Sequence, residues 1–201
     1  MNLLIAVPTF ENIDPQVFKA IYDLDKSPVD ICDFEFVKGY DCARARNLIA
    51  KKAMKGAYDF VLMVDSDTII PPDTLALFFE SEPSDVVLGI YPRKNMTRKT
   101  EIFSSDYSAS SQYGYNELEQ LRDHHGIKRV RVKGGGLGCA LVRTSVFSKI
   151  HMPYFLYVCY PDGSILSEDL YFCNKVIDAG GKVTVDTRVY CGHVMKSVKY
   201  E

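Results

Sequence analysis

Short, continuously apolar runs alternate with longer stretches of helical spacing up to about residue 91. Leu3–Val7 is apolar at every position and is closed by Pro8, the pattern of an inner parallel strand covered on both faces. Asp14-Pro15 reads as a helix N-cap and first helical residue, with Ile13, Val17, Ile21 and Leu24 on one face and an end near Lys26. Phe34–Val37 is the next strand. It leads through Gly39-Tyr40-Asp41 into a helix over Ala43–Lys55 that Gly56 stops. Phe60–Val64 forms a third strand running into Asp65-Ser66-Asp67, Pro71-Pro72-Asp73 opens a helix through Phe79, and Asp85–Tyr91 is a fourth strand. This order predicts parallel β-α-β units with right-handed crossovers, a nucleotide-binding style of architecture.

The pattern dissolves between Pro92 and Lys133, where a polar, basic run (Arg93–Lys99) and a Ser/Tyr/Gln stretch (Ser104–Tyr115) predict an excursion of loops; the basic run reads as a solvated loop or as a mobile loop carrying four cations beside an anionic donor. Order returns at Val130–Val132, a glycine run (Gly134-Gly135-Gly136-Leu137-Gly138), a strand over Cys139–Val142 and a short helix capped by Thr144. Ser167-Glu168-Asp169 starts a helix with Leu170, Cys173, Val176 and Ile177 on one face and Gly180-Gly181 at its end. Lys182–Val189 is a closing strand. No linker or repeat interrupts the chain. The expectation is one α/β domain over residues 1–201, with a nucleotide-binding half (1–91) and an acceptor-side half (92–201).

Composition narrows the partners. The chain has 201 residues, 47% apolar and 25% charged, enough for a full core without disulfide or metal staples. With 24 basic and 26 acidic side chains, a net charge of −2 argues against duplex nucleic acid, whose binding rests on phosphate neutralisation. The six cysteines form no Cys-x-x-Cys pair and read as reduced thiols, hence a cytoplasmic protein. No apolar run approaches the ~20 residues of a spanning helix, which leaves peripheral contact as the expected limit of any membrane association.

The strongest chemical signal is Asp65-Ser66-Asp67 at the end of an apolar strand. There, at the carboxyl edge of a parallel sheet, the turn lets two carboxylates reach one hard divalent cation; equally, aspartates in this position can simply cap a turn. The glycine run lets backbone approach a sugar or acceptor closely, or marks a bulged strand entry. Glu168 and Asp169 sit where a helix dipole alone would favour acids. Arg44 and Arg46 cannot share one helical face, and Arg46 at the helix entrance would pair with a phosphate or a carboxylate.

Together, Val-Pro-Thr-Phe after the first strand, Ala-Arg-Ala-Arg-Asn at a helix start, the strand into Asp-Ser-Asp, the glycine run, Ser-Glu-Asp before a helix and the late His193 form an ordered set. The set resembles the GT-A glycosyltransferases, family 2-like, and covers Leu3 to His193. That resemblance implies a Rossmann-like, mixed but mostly parallel sheet flanked by helices. It also implies inverting transfer of a sugar from a UDP- or GDP-sugar donor to a carbohydrate or other hydroxyl acceptor. Asp65, Asp67 and His193 would hold Mn²⁺ or Mg²⁺. Asp169 would be the general base with Glu168 beside it. Pro8, Thr9, Phe10, Arg46, Asn47 and Ser66 would line the donor, and Gly135 and Gly136 the acceptor or sugar pocket. The family's usual acidic nucleobase contact after the second strand is replaced by Gly39-Tyr40-Asp41. Three other classes compete: a haloacid-dehalogenase-like phosphatase using Asp65 and Asp67, a sugar-nucleotide pyrophosphorylase, whose Gly-rich, basic loop directly after the first strand is not supplied by Pro8-Thr9-Phe10-Glu11-Asn12, and a catalytically silent carbohydrate- or nucleotide-binding protein of the same fold.

Overall fold

The structure, a computed structural model, describes residues 1–93 and 99–194. In chain order the elements are β1 (Asn2–Thr9), α1 (Pro15–Asp23), β2 (Ile31–Lys38), α2 (Cys42–Lys55), β3 (Phe60–Val64), β4 (Thr68–Ile69), α3 (Thr74–Phe79) and β5 (Val86–Ile90). There follow β6 (Lys99–Phe103), β7 (Gln112–Gly114), α4 (Tyr115–Asp123), β8 (Arg129–Arg131), β9 (Gly134–Gly135), β10 (Cys139–Arg143) and α5 (Val146–Lys149). The last are β11 (Val158–Cys159), β12 (Ile165–Leu166), α6 (Glu168–Asp178), β13 (Val183–Tyr190) and β14 (Gly192–His193).

A 7-stranded sheet in the order β2-β1-β3-β10-β5-β13-β8 forms the centre. β1 pairs with β2 and β3 in parallel, and β5 pairs with β13 in parallel, while β10 runs antiparallel between β3 and β5 and β8 antiparallel on β13. The continuous apolar runs are explained by burial on two faces. Leu4, Ala6, Val61 and Met63 face α2, α6 and the aromatic cluster of Phe147, Phe155 and Phe172, whereas Leu3, Ile5, Leu62 and Val64 face Val17 and Ile21 of α1 and Leu75 and Phe78 of α3. Side chains alternate between faces, so one strand feeds both cores.

Several elements end where local chemistry dictates. Asp14 accepts from the Gln16 amide at 2.9 Å and Asp41 from the Arg44 amide at 3.0 Å, fixing the starts of α1 and α2. α1 stops at Asp23 rather than at Lys26, because the Lys26 ammonium turns back to cap the carbonyls of Ile21, Tyr22 and Leu24 at 2.9–3.1 Å. Thr144 does not cap α5 through its side chain; its hydroxyl is buried without a partner among the described residues, and its carbonyl accepts from Phe147.

Residues 92–133 hold more than loops. β6 pairs with β7 and β9 in a 3-stranded sheet, and α4 begins where the Glu117 carboxylate accepts from the Gly114 amide at 2.6 Å. The polar composition hid these because β6 exposes alternate residues and α4 buries only Leu118 fully. Of the basic run, Arg93 and Lys99 are described and 94–98 lie outside the described residues. No helix among the described residues is long and apolar enough to cross a membrane, and the six cysteines are unpaired.

Candidate active site

The carboxyl ends of β1, β3 and β5 and the start of α6 enclose a cleft of about 770 Å³. Pro8, Asp65, Ser66, Asp67, Glu168, Asp169 and His193 all line it, together with Cys42, Tyr91, Arg93, Glu101, Tyr157 and Ser167. Asp65 leaves β3 with its amide on the Gly138 carbonyl at 3.0 Å, and its own carbonyl accepts from the Thr68 amide at 3.0 Å, so residues 65–68 close a tight turn. β4 follows directly and pairs antiparallel with β14, placing His193 opposite Thr68, while the Val194 amide donates to the Asp67 carbonyl at 2.8 Å. This small ladder brings the late histidine to the acidic turn. His193 Nε2 lies 3.5 Å from Asp67 Oδ1.

His193 is oriented from behind. Its Nδ1 lies 2.7 Å from the Pro92 carbonyl, which can only accept, so Nδ1 carries a proton and donates; its ring packs edge-on to Tyr91 at 5.6 Å. In the neutral imidazole Nε2 is then the lone-pair nitrogen, the arrangement by which an outer partner aims a histidine at a cation. Two strand-end carboxylates and such an imidazole fit Mn²⁺ or Mg²⁺ chemically. Among the described residues no group of three or more His, Cys, Asp or Glu is gathered tightly enough to hold an ion unaided.

Beneath the acidic wall lies Arg46, only 2% exposed. One guanidinium nitrogen donates to Asp65 Oδ1 at 2.7 Å and the other to Glu168 Oε1, while Nε has no partner among the described residues. Burial alone would lower the Arg46 pKa, but Asp65, Glu168 and Asp169 together hold the side chain protonated. Arg44, by contrast, leaves the buried face and stacks 4.4 Å over the Tyr40 ring. Burial pushes the Asp65, Glu101 and Glu168 carboxyls above their ordinary range; Arg46 and Arg93 oppose the shift, and neighbouring Asp169 adds to it in each case. The cleft thus concentrates negative charge that a bound cation would relieve.

The two acids at the start of α6 have different surroundings. Glu168 is 4% exposed and is held by Arg46. Asp169 is half-buried; its Oδ1 accepts from the Ser167 hydroxyl and from the Leu170 amide at 3.1 Å, and its Oδ2 has no protein partner among the described residues. Asp169 therefore offers one fixed and one open oxygen to the cleft.

Other expected residues lie elsewhere. The Asn47 amide donates to the carbonyls of Ala43 and Phe155 at 2.8 and 2.7 Å and its oxygen accepts from the Tyr154 amide, so it staples α2 to the chain before β11, outside the cleft. Thr9 donates to the Asn12 carbonyl, and Phe10 is 70% exposed on the same loop. Gly135 and Gly136 are strand and strand-end backbone packed against other segments of the chain: a Cβ on Gly136 would sit 1.9 Å from the Tyr91 hydroxyl, and one on Gly135 2.6 Å from the Glu101 carbonyl. Tyr91 and Glu101 were not singled out from sequence, although the carboxyl end of the fourth strand was a place to look for Tyr91.

No protein-family model matches the chain, and no curated protein matches it in sequence. Solved structures match its fold. A197 from STIV shares 19% identity at a TM-score of 0.66, over 98% of this chain and 87% of that one. GalNAc-T7, solved with UDP, GalNAc and Mn²⁺, shares 12% identity at a TM-score of 0.58, and the match spans 96% of this chain but 44% of that one. The inositol-1-phosphate CTP transferase from T. maritima shares 11% identity at 0.51, over 94% and 88%. The fold is GT-A-like, a single α/β domain with a mostly parallel central sheet. Glycosyltransferases and nucleotidyltransferases are both among its structural neighbours.

Proposed function

We propose that the protein transfers a sugar from a nucleoside-diphosphate donor to an acceptor hydroxyl, with inversion and with Mn²⁺ or Mg²⁺. The observation that carries the reading is the convergence on one cleft of the Asp65–Asp67–His193 wall and of Asp169, whose Oδ2 is open. Asp169 accepts the acceptor's proton as the hydroxyl attacks the sugar carbon from the side opposite the departing diphosphate. Its Oδ1, fixed by Ser167 and the Leu170 amide, holds the carboxylate in one orientation. Glu168, tied to Arg46, keeps the start of α6 in register with Asp65. Asp65, Asp67 and His193 would hold the cation, which when bound would supply positive charge against the charge that develops on the leaving diphosphate. No covalent nucleophile is needed. GalNAc-T7, a fold neighbour solved with UDP and Mn²⁺, supports this choice of donor class.

Nucleotidyl transfer is the less favoured reading, because attack at an α-phosphate calls for cations in the loop after the first strand. That loop, residues 10–14, has Glu11 and Asp14 and neither Lys nor Arg. The test is calorimetric titration with UDP and GDP, with and without Mn²⁺, followed by incubation with UDP- and GDP-sugars and simple glycoside acceptors. Metal-dependent nucleotide binding and an inverted product support the proposal; pyrophosphate release from a nucleoside triphosphate and a sugar phosphate would replace it.

A further inference from the structure

Arg93 is the site's unassigned cation. It follows Tyr91 by two positions in extended backbone, so both side chains face the cleft. The Arg93 amide donates to the Lys99 carbonyl at 3.2 Å, and Pro92 bridges Thr100, which anchors this backbone at the mouth. The carbonyl of Pro92, its immediate neighbour, is the one that orients His193. Arg93 thus stands beside the Asp67–His193 wall. Its partner is Glu101, with Nε 2.5 Å from Oε1, and the two side chains are 40% and 30% exposed.

The charge balance gives this pair meaning. Asp65, Asp67, Glu101, Glu168 and Asp169 line the cleft, whereas Arg46 is sealed beneath it with both terminal nitrogens already committed. Among the described lining residues Arg93 is the permanently cationic side chain. A diphosphate entering so acidic a cleft needs positive charge beyond what one divalent cation supplies, and a guanidinium matches phosphate oxygens in a planar, two-pronged geometry. A half-exposed ion pair such as Arg93–Glu101 is worth only a factor of about 1.5 to 5 in an equilibrium, so a phosphate can displace it.

We propose that Arg93 binds the diphosphate of the donor, and that Glu101 occupies its guanidinium until the phosphate arrives. Glu101 is then a competing internal anion that sets donor affinity. The inference rests on the nucleoside-diphosphate reading above and adds to it a phosphate-binding residue and its competitor.

The experiment is calorimetric titration of UDP, GDP and inorganic pyrophosphate, in Mn²⁺, into the wild-type protein, Arg93→Gln, Glu101→Gln and the double variant. Arg93→Gln is expected to weaken diphosphate binding by about 10- to 100-fold, the span of a charge-assisted hydrogen bond. Glu101→Gln is expected to tighten it by up to about 5-fold, and the double variant to match Arg93→Gln, since the competitor matters only while Arg93 is present. Weakening of pyrophosphate in parallel with UDP assigns the contact to phosphate rather than to base or ribose. Unchanged affinity in Arg93→Gln, or a Glu101→Gln protein that binds more weakly, overturns the assignment while leaving the donor reading intact. A wild-type protein that binds none of the three probes overturns both. Melting curves of the four proteins without ligand identify any variant that has lost its fold, and Arg93→Lys, which keeps the charge but not the fork, then substitutes for Arg93→Gln with a smaller loss expected.

Discussion

Arg46 on α2 and Glu168 at the start of α6 form an ion pair closed off from solvent, and it ties the two helices together under the cleft. Because the same guanidinium also holds Asp65, removing it strands two carboxylates whose affinity for protons burial has already raised. Arg46→Ala should therefore destabilise the fold by about 3–5 kcal/mol, the usual cost of breaking a buried pair from one side. Urea unfolding followed by circular dichroism measures it; a loss below about 1 kcal/mol would mean that water enters and serves the carboxylates.

Asp67→Ala should behave in the opposite way. Asp67 is half-buried at the rim of a turn rather than in the core, so the melting temperature in metal-free buffer should stay near wild type while Mn²⁺-dependent UDP or GDP binding is lost. Titration calorimetry decides it, and full nucleotide affinity in the variant would remove Asp67 from the metal site.

His193→Ala should weaken Mn²⁺ binding less than Asp67→Ala, since a neutral imidazole contributes a ligand without charge. The ring also packs on Tyr91, so a small loss of metal-free stability is expected beside it. Thermal melts with and without Mn²⁺ separate the two effects: a ligand role predicts that the gap between wild type and variant widens when metal is added.

Asp169→Asn should lower transfer by about 10²–10⁴-fold with nucleotide affinity retained. The amide oxygen can still accept from Ser167 and the Leu170 amide, so the start of α6 is preserved and the change falls on the open oxygen. Single-turnover transfer together with calorimetry checks both halves of the expectation, and wild-type rates would place the base elsewhere.

Gly136→Ala should cost about 1–3 kcal/mol by overpacking, because the new methyl would meet the Tyr91 hydroxyl. Tyr91→Phe removes that oxygen and should recover part of the loss in the double variant. Denaturant midpoints of the single and double variants supply the cycle.

Burial periodicity made β1, β3, β5 and the helices between them readable, because a strand covered on both faces has to be apolar throughout. The acidic turn after β3 was legible for the same reason: it is where a short, continuously apolar run abruptly ends. Position in the sheet was not legible. Nothing local in Cys139–Val142 says that it runs antiparallel between β3 and β5, since its burial resembles that of its neighbours. Arg46 stood out as a partner for either a phosphate or a carboxylate, and only tertiary packing, which sets it between Asp65 and Glu168, decides for the carboxylates. The glycine run supported two readings, and the structure shows why spacing could not choose: the missing side chains make room for residues far away in the sequence, Tyr91 at Gly136 and Gly138, Glu101 and Ile102 at Gly135, and Cys173 at Gly134.

The place of β10 in the sheet bears on how the chain acquires its shape during synthesis. One edge of β3 pairs with β1, but the other waits for residues 139–143, so a nascent chain that has emerged only through β5 carries an apolar strand with a row of open backbone donors and acceptors. Such an edge is a template for association with other chains. The turn at Asp65 also lacks its Gly138 carbonyl until then. Fragments ending before β10 should accordingly be recovered as aggregates, and the acidic cleft should mature late, once a long-range pairing has closed around it.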